Sequence, residues 1–452
     1  MPASRLLLLT AAASLTGAAL LPSAVAAQNA DAAEPPAVAA TLTVSQQLSY
    51  DDGDVIGVTP VDLSFKSGTR SQTLEFSLSL PINEGDPDDD GFFGLGDRRA
   101  RLYYTRFSRN ASLDSELTYY ETELDREIFF DEENLNFVTN DEGSVSDSTA
   151  RIGYAFGSQA KLGGEFGLSW RKRDYIDTID PDLYDATTIS GNATIFLEPT
   201  PLIRARILAS ASKTDSDGLG TDTRSSRVGA GASMQIDKVT NLDAELAWSD
   251  IRREDFQDGD DDRAKGLSFR MAATRSRQNG DWTLQLRSDP GTEGRRESLT
   301  LGRGLELRSY SLSGSIGVTR FDGNLDPVYT IGYDRDLSEI SSLSAALDQR
   351  AVTNDDGDEA INTSLSVGYR RQLTGLSSLG ASVRYRATDV RTGDDSDAET
   401  IAFNVDYSHS LTSDFAVVAG VSVVRAGGDN SDPDDDDERV YLGLSRSFDF
   451  LP

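Results

Sequence analysis

The stretch VYLGLSRSFDF, Val440 to Phe450, alternates apolar and polar residues along its length. One parity carries Val440, Leu442, Leu444, Phe448 and Phe450, whereas the other carries Tyr441, Gly443, Ser445, Ser447 and Asp449. Successive side chains of a β-strand point to opposite faces, so this stretch predicts a strand with one apolar and one polar face. Only Arg446 interrupts the apolar row.

The same alternation continues from Thr41 to Phe450, in segments of about ten residues separated by connections rich in Asp, Gly, Asn and Ser. We count about 22 such segments, within a range of roughly 18 to 26. Beyond the first 27 residues, no apolar run approaches the roughly 20 residues that a transmembrane helix needs. The sequence therefore predicts an all-β protein without membrane-spanning helices.

Two classes of connection alternate along the chain. Short connections such as KSGTR from Lys66 and QLTG from Gln372 separate long acidic ones such as NEGDPDDDGFFGLGDR from Asn83 and GGDNSDPDDDDER from Gly427. Soluble antiparallel sheets also alternate in polarity, but regularly spaced short and long hairpins are typical of transmembrane barrels. We therefore predict a transmembrane antiparallel up-and-down β-barrel with short periplasmic turns and longer acidic extracellular loops.

The composition excludes several classes of protein. The 75 acidic and 43 basic residues give a formal charge of -32, which repels nucleic acid phosphates, so no nucleic-acid partner is expected. The chain has no cysteine, so it forms neither a disulfide framework nor a thiolate zinc site.

The first residues predict export. Residues 1–27 combine Arg5, an apolar run and the small-residue sequence Ala24-Val25-Ala26, as in a cleaved secretory signal peptide. We expect residues 28–40 to form a flexible N-terminus and residues 41–450 to form a single barrel domain. Only about 14 residues separate the expected cleavage site from Thr41, so we expect no folded plug ahead of the first strand. The loop around residues 127–147 is the best candidate to narrow the lumen.

These features together resemble Gram-negative bacterial outer-membrane β-barrels of the porin-like kind, without matching a specific substrate family. The resemblance covers nearly the whole mature chain. Its most specific element is the last strand, in which Phe448 and Phe450 resemble the terminal-aromatic signal for the barrel assembly machinery, although Leu451 and Pro452 follow. The resemblance implies an outer-membrane location, contact with lipid and lipopolysaccharide, the assembly machinery as a partner in biogenesis, and small hydrophilic solutes as cargo.

The polar parity of the predicted strands supplies candidate residues for the lumen lining. These are Arg204, Arg206, Arg270, Arg370, Arg384, Arg386, Glu165, Glu245 and Asp406. On the lipid side an arginine at mid-bilayer costs about 2–4 kcal/mol, which favours an inward orientation. The Arg204/Arg206 and Arg384/Arg386 pairs form either an anion-attracting ladder at a constriction or an ordinary solvated lining.

The acidic loops are candidates for cation binding. Asp86, Asp88, Asp432 and Asp434 offer oxygen ligands that Ca²⁺ and Mg²⁺ prefer, although the spacing is not that of an EF-hand loop. The alternative is a set of solvated loops that bind no metal. We expect no other cofactor.

The sequence favours a channel over an enzyme. Barrel enzymes usually use histidine as a base, and the one histidine, His409, falls on the lipid-facing parity near a short turn. We predict a porin-like outer-membrane channel for passive diffusion of small hydrophilic solutes and ions. The alternative is a nonconducting surface barrel whose acidic loops serve adhesion, envelope integrity or polysaccharide export. The oligomeric state stays open.

Overall fold

The structure, a computed structural model, describes most of the chain after its first 37 residues. The described residues are 38–51, 54–84, 93–124, 129–131, 136–138, 143–178, 183–217, 221–255, 261–292, 294–321, 323–353, 359–391, 398–428 and 437–451. Within them, no helix is long and apolar enough to cross a membrane. The predicted signal peptide lies outside these residues.

The described part of the chain contains twenty-five strands. The first twelve are β1 (Val38–Asp51), β2 (Asp54–Gly68), β3 (Gln72–Glu84), β4 (Phe93–Leu95), β5 (Arg98–Phe107), β6 (Ala111–Glu123), β7 (Phe129–Asp131), β8 (Asn136–Val138), β9 (Ser144–Phe156), β10 (Leu162–Ile176), β11 (Ala186–Thr200) and β12 (Ile203–Ser216). The others are β13 (Thr221–Gln235), β14 (Thr240–Asp255), β15 (Asp261–Arg277), β16 (Gly280–Pro290), β17 (Arg295–Glu306), β18 (Tyr310–Phe321), β19 (Asn324–Ser338), β20 (Ser341–Thr353), β21 (Glu359–Gln372), β22 (Ser377–Val390), β23 (Ala398–Ser410), β24 (Phe415–Gly428) and β25 (Asp437–Leu451).

All of these strands except β4, β7 and β8 form one closed ring. Each of the remaining 22 strands pairs antiparallel with the strands before and after it in the chain, and β1 pairs with β25 to close the ring. The predicted fold class and the count of 22 strands are confirmed. The first strand begins three residues before the expected start at residue 41, because Val38 already pairs with Ser67 of β2.

Connections of two to five residues join the strands at one end of the barrel, as predicted. Local hydrogen bonds explain their geometry. In the β13–β14 turn, Asp237 accepts hydrogen bonds from the backbone N–H of Val239 (2.7 Å) and the hydroxyl of Thr240 (3.0 Å), and the Val239 bond holds the pKa of this carboxyl below its ordinary value. Gly280 follows another turn with a φ of 119°, and a Cβ there would lie 2.1 Å from the carbonyl oxygen of Gly304. Only glycine fits that position.

The two strand parities form the outer and inner surfaces of the barrel. Large apolar side chains such as Ile316 (67% exposed), Val228 (61%) and Leu442 (61%) occupy one parity and are open to the surroundings, as lipid-facing residues are. The opposite parity carries Ser, Thr, Gly and charged residues. On this face Arg206 of β12 reaches Asp243 of β14 across the strand between them, as side chains on a concave inner wall do.

The long connection between β6 and β9 contains a hairpin formed by β7 and β8. Strand β8 contacts β23, which lies seven strands away from β6 around the shorter arc of the ring. The hairpin thus reaches across the long-loop end instead of following the wall from which it emerges. The loop predicted to narrow the lumen was assigned too far towards its C-terminal end, because residues 144–147 belong to β9.

Candidate functional site

The inner wall is the candidate functional site, and the strand register assigns all nine predicted lining residues to its parity. Arg204 and Arg206 lie on β12, Glu165 on β10, Glu245 on β14, Arg270 on β15, Arg370 on β21, Arg384 and Arg386 on β22, and Asp406 on β23. Side-chain contacts divide them into paired and exposed groups. Their role in the passage of a solute stays a prediction.

The strongest polar cluster spans β12 to β16, and we call it the β12–β16 network. Arg206 donates from Nη1 to Asp243 Oδ2 (2.6 Å) and from Nη2 to Asp243 Oδ1 (2.8 Å) and Glu245 Oε2 (2.9 Å). The other Glu245 oxygen accepts from Arg227 Nη2 at 2.7 Å. Arg227 in turn approaches Asp289 at 3.8 Å, and Asp289 also pairs with Arg287. Four of the 22 wall strands, β12, β13, β14 and β16, are therefore linked by one chain of ion pairs.

This network is well shielded from water for a barrel wall. The Arg206 and Glu245 side chains are 17% and 10% exposed. Gly231 makes room for the network, because a Cβ at this position would lie only 3.1 Å from the guanidinium of Arg206. Because its charges neutralise one another in place, the network leaves little free charge to attract a solute.

The predicted Arg204/Arg206 pair does not act as one unit. Arg204 donates from Nε to Glu198 Oε1 at 2.6 Å and stacks over the ring of Phe196, with its Cζ 4.6 Å from the centroid. Both arginines of this pair are therefore engaged by carboxylates of their own. The positive charge of the two β12 arginines, which formed half of the predicted anion-attracting ladder, is thereby neutralised.

A second region of the inner wall keeps its positive charge. Arg370, Arg384 and Arg386 of β21 and β22 are all exposed, and we call Arg370 and Arg384 the arginine wall. Within the described residues, Arg370 and Arg384 form no ion pair. Their neighbours in register are small: Ser342 and Gly380 flank Arg370, whereas Ser366 and Ala402 flank Arg384.

The two regions lie on separate parts of the ring. Strand β21 is five strands from β16, the nearest strand of the network, and β22 is ten strands from β12, the farthest. An anion in the lumen thus meets uncompensated positive charge on one part of the wall and neutralised ion pairs on another. Inside a polar but enclosed lumen, unpaired guanidinium groups interact with anions more strongly than they do at an open surface.

Asp406 takes part in a local hydrogen bond that links two strands of the wall. Its carboxylate accepts a hydrogen bond from the Tyr441 hydroxyl at 2.9 Å, across the intervening strand β24. The Tyr441 ring lies directly over Gly420, where a Cβ would come within 2.5 Å of the ring. The absence of a side chain at Gly420 is what lets the ring reach Asp406.

We expect Gly420→Val to lower the free energy of unfolding by about 1–3 kcal/mol, because the added side chain overlaps the Tyr441 ring and forces it away. Urea unfolding of the protein refolded in lipid vesicles measures this change. A Tyr441→Phe variant is the control, since it removes the hydroxyl bond to Asp406 without the overlap. Equal stability of Gly420→Val and the unmodified chain would contradict the packing described above.

Sequence reasoning missed several partners in this wall. Asp147 of β9 accepts from Arg171 Nε of β10 (2.7 Å) and from Arg173 (3.5 Å), and Arg227 joins Glu245 to Asp289. Parity alone identifies such residues as inward-facing, but it does not predict which of them meet. Arg270 is aligned between Glu245 and Arg287, and Glu165 between Ala155 and Thr194.

The remaining predicted sites are the acidic loop residues, the two phenylalanines of the last strand and the single histidine. Asp86, Asp88, Asp432 and Asp434 lie outside the described residues, and within the described ranges no group of three or more potential ligands could hold a metal. Phe448 and Phe450 lie on the outer parity of β25, where Phe448 aligns with Leu42, and their part in barrel assembly stays a prediction. His409 lies on the outer parity of β23, next to Ser377.

Comparisons with known proteins identify the architecture. No protein-family model matches the sequence, and no curated protein matches it. Among solved structures, the ferric-catecholate import receptor Fiu from E. coli K12 matches with a TM-score of 0.59 at 8% identity, over 92% of this chain and 82% of that one. The FrpB iron transporter from Neisseria meningitidis (TM-score 0.58, 10% identity, 92% and 83% covered) and the siderophore receptor PirA from Acinetobacter baumannii (0.56, 7%, 92% and 81%) are similar.

These matches confirm the prediction of a Gram-negative outer-membrane β-barrel, and the exposed apolar surface agrees with that location. The prediction of a porin-like channel for passive diffusion of small solutes and ions is wrong. The matching solved structures include a ferric-catecholate import receptor, a ferric enterobactin receptor, an iron transporter and a siderophore receptor, and none of these is a porin. They are also transport receptors rather than enzymes. The error arose because a polar lumen is common to pores and receptors, so lining residues do not distinguish them.

Proposed function

We propose that this chain is an outer-membrane uptake receptor for a negatively charged iron chelate, which binds in the lumen against the arginine wall. The observation that carries the proposal is the closed ring of 22 strands, which aligns over 92% of the chain with import receptors for ferric complexes. At 8% identity the alignment concerns the fold. The ligand class therefore has to be argued from the residues of this chain.

The charge of the inner wall supports an anionic ligand. Arg370 and Arg384 are exposed and lack carboxylate partners within the described residues, and small Ser and Gly neighbours leave space beside them. Guanidinium groups bind oxygen anions through several parallel hydrogen bonds. A ferric complex with carboxylate or catecholate oxygens at its periphery fits that chemistry.

The hairpin of β7 and β8 supports a receptor in preference to an open pore. It extends from the β6–β9 connection to β23, the strand next to the arginine wall. A ligand that enters from the long-loop end passes this hairpin before it meets Arg384. Selective entry, which a passive pore does not need, is consistent with such an element.

The test is binding of radioactive iron chelates to the refolded mature chain in lipid vesicles. We expect an anionic ferric tricatecholate to bind more tightly than a neutral ferric trihydroxamate. Reversal of charge in an Arg370→Glu, Arg384→Glu variant should weaken tricatecholate binding by at least about tenfold, or 1.4 kcal/mol. The matched control Arg370→Lys, Arg384→Lys keeps the charge and should retain most of the affinity.

Two results would refute the proposal. If a correctly folded chain binds neither ferric complex, it is not a receptor of this kind. If the tricatecholate binds equally well to the charge-reversed and unmodified chains, the arginine wall is not its site. Retention of iron by cells that express the chain under iron limitation provides an independent readout.

A further inference from the structure

The outer surface carries arginines where its strands approach the short turns. Arg275 and Arg277 lie on β15, Arg303 on β17, Arg335 on β19, Arg371 on β21 and Arg446 on β25, all on the parity of the exposed apolar residues. We call these six residues the basic belt. They lie on five of the six odd-numbered strands from β15 to β25, with none on β23, and these strands cover one half of the ring.

Aromatic rings lie between these arginines and hold two of them in place. The guanidinium of Arg303 is 4.9 Å from the Trp282 ring centroid, and Arg275 aligns with the same tryptophan from the other side. Arg446 lies between two rings, 4.9 Å from the centroid of Phe415 and 4.4 Å from that of Phe448. Aromatic side chains mark the headgroup level of transmembrane barrels, so the belt lies at that level.

The belt is not balanced by acidic residues on the same surface. Within the described residues, no Asp or Glu occupies an outward position at the short-turn ends of β15 to β25. The acidic residues at the short-turn ends of these strands, among them Asp281, Glu306, Asp336, Glu339 and Asp414, lie on the inner parity or in the turns. Asp237, in the adjacent β13–β14 turn, is near enough to Arg275 for that guanidinium to help lower the pKa of the carboxyl. In addition, Nη1 of Arg303 is buried against the barrel and has no hydrogen-bond partner.

The opposite end of the same surface is arranged differently. There the outward basic residues meet acidic ones: Asp250 accepts from Arg263 (2.9 and 2.8 Å) and lies 3.3 Å from Lys265, and Lys172 pairs with Asp174 at 2.6 Å. Lys213, Arg252 and Arg425 pair with Asp215, Glu254 and Glu438. Six outward basic residues at the long-loop end are therefore joined to carboxylates, whereas Arg224, Arg295 and Arg320 there form no ion pair within the described residues.

We propose that the basic belt binds the headgroups of anionic phospholipids in the membrane leaflet at the short-turn end. Short turns face the periplasm in barrels of this class, and the leaflet there consists of phospholipid. A phosphodiester offers oxygen acceptors to guanidinium groups that have no protein carboxylate, while the acyl chains cover the apolar residues beside them. The charge of the whole chain, -32, does not predict this affinity, which belongs to one end of one surface. The proposal is independent of any ligand in the lumen.

The test compares how spin-labelled lipids associate with the mature chain refolded in phosphatidylcholine bilayers. The probes are spin-labelled phosphatidylglycerol and spin-labelled phosphatidylcholine, and electron paramagnetic resonance gives the fraction of each that the protein immobilises. We expect at least about a threefold preference for phosphatidylglycerol at low salt, because a single basic residue near an anionic surface contributes up to roughly fivefold. At about 1 M salt the preference should fall, since the Debye length shrinks to about 3 Å.

The decisive variant replaces all six belt arginines with glutamine, and we expect its preference to fall close to one. The matched control replaces six outward basic residues at the other end with glutamine: Lys172, Lys213, Arg252, Arg263, Lys265 and Arg425. Both variants lose six positive charges, so net charge alone affects them equally. The control should keep most of the preference.

Three results would overturn the proposal: an unmodified chain without preference, a belt variant that keeps it, or a control that loses as much as the belt variant. Heat-dependent mobility on a gel establishes whether each variant is folded. Should the sixfold variant fail to fold, an Arg335→Gln, Arg371→Gln, Arg446→Gln variant enters the same assay. This variant removes three of the six arginines, so we expect the logarithm of its preference for phosphatidylglycerol to be about half that of the unmodified chain. An unchanged preference would refute the proposal that the belt binds anionic headgroups.

Discussion

Ile316→Arg should lower the free energy of unfolding by about 2–4 kcal/mol, the largest change that we expect from one substitution. Ile316 lies in the middle of β18 on the outer parity and is 67% exposed, so an arginine there faces hydrocarbon. Urea unfolding of the chain in lipid vesicles, followed by tryptophan fluorescence, measures the effect.

The neighbouring position provides a matched control. Ser315 lies on the inner parity between Gly302 and Thr330, and its hydroxyl makes one hydrogen bond, to the Thr330 hydroxyl at 2.7 Å. Ser315→Arg should cost about 1 kcal/mol, the value of that hydrogen bond, because the new charge faces the polar lumen. If Ser315→Arg were as destabilising as Ile316→Arg, the two parities would not be the inner and outer faces that the register indicates.

Arg206→Gln should lower the free energy of unfolding by about 2–3 kcal/mol. The substitution leaves Asp243 and Glu245 close together on the inner wall without the guanidinium that joins them. Breaking a fully buried ion pair costs about 3–5 kcal/mol, and the partial exposure of this network reduces that cost. The same unfolding experiment in lipid vesicles measures it.

Two further variants separate the loss of the network from other effects. Arg206→Gln combined with Asp243→Asn and Glu245→Gln removes the unpaired carboxylates and should recover most of the lost stability. Arg204→Gln should cost less than about 1 kcal/mol, because its pair with Glu198 is more exposed. If the triple variant were less stable than Arg206→Gln alone, repulsion between the unpaired carboxylates would not explain the loss.

The comparison of the arginines shows where sequence reasoning reached its limit. Arg204, Arg206, Arg384 and Arg386 look equivalent in sequence, since each pair occupies alternate positions of a strand. In the barrel, Arg206 is held by Asp243 and Glu245, which lie two strands away, whereas Arg384 is exposed beside Ser366 and Ala402. Whether an arginine keeps its charge available depends on residues that are distant in the chain.

The function was predicted wrongly for a related reason. Alternation and a polar inner parity are required of any water-filled barrel, whether solutes diffuse through it or a receptor takes them up. The porin prediction is contradicted by the alignment of the whole ring with receptors and transporters for iron and siderophores, at only 7–11% identity. Such a likeness leaves no local motif in the sequence.

The sequence by itself determined the strands, their number, their inner and outer faces and the alternation of short and long connections. These properties are local, because period-two polarity and turn residues act over a few neighbouring positions. Only the tertiary structure decided which charges meet, that the β7–β8 hairpin reaches β23, and that six arginines from Arg275 to Arg446 share one rim. The physical reason is that closing the ring sets the register of strands far apart in sequence, and register decides which side chains lie side by side.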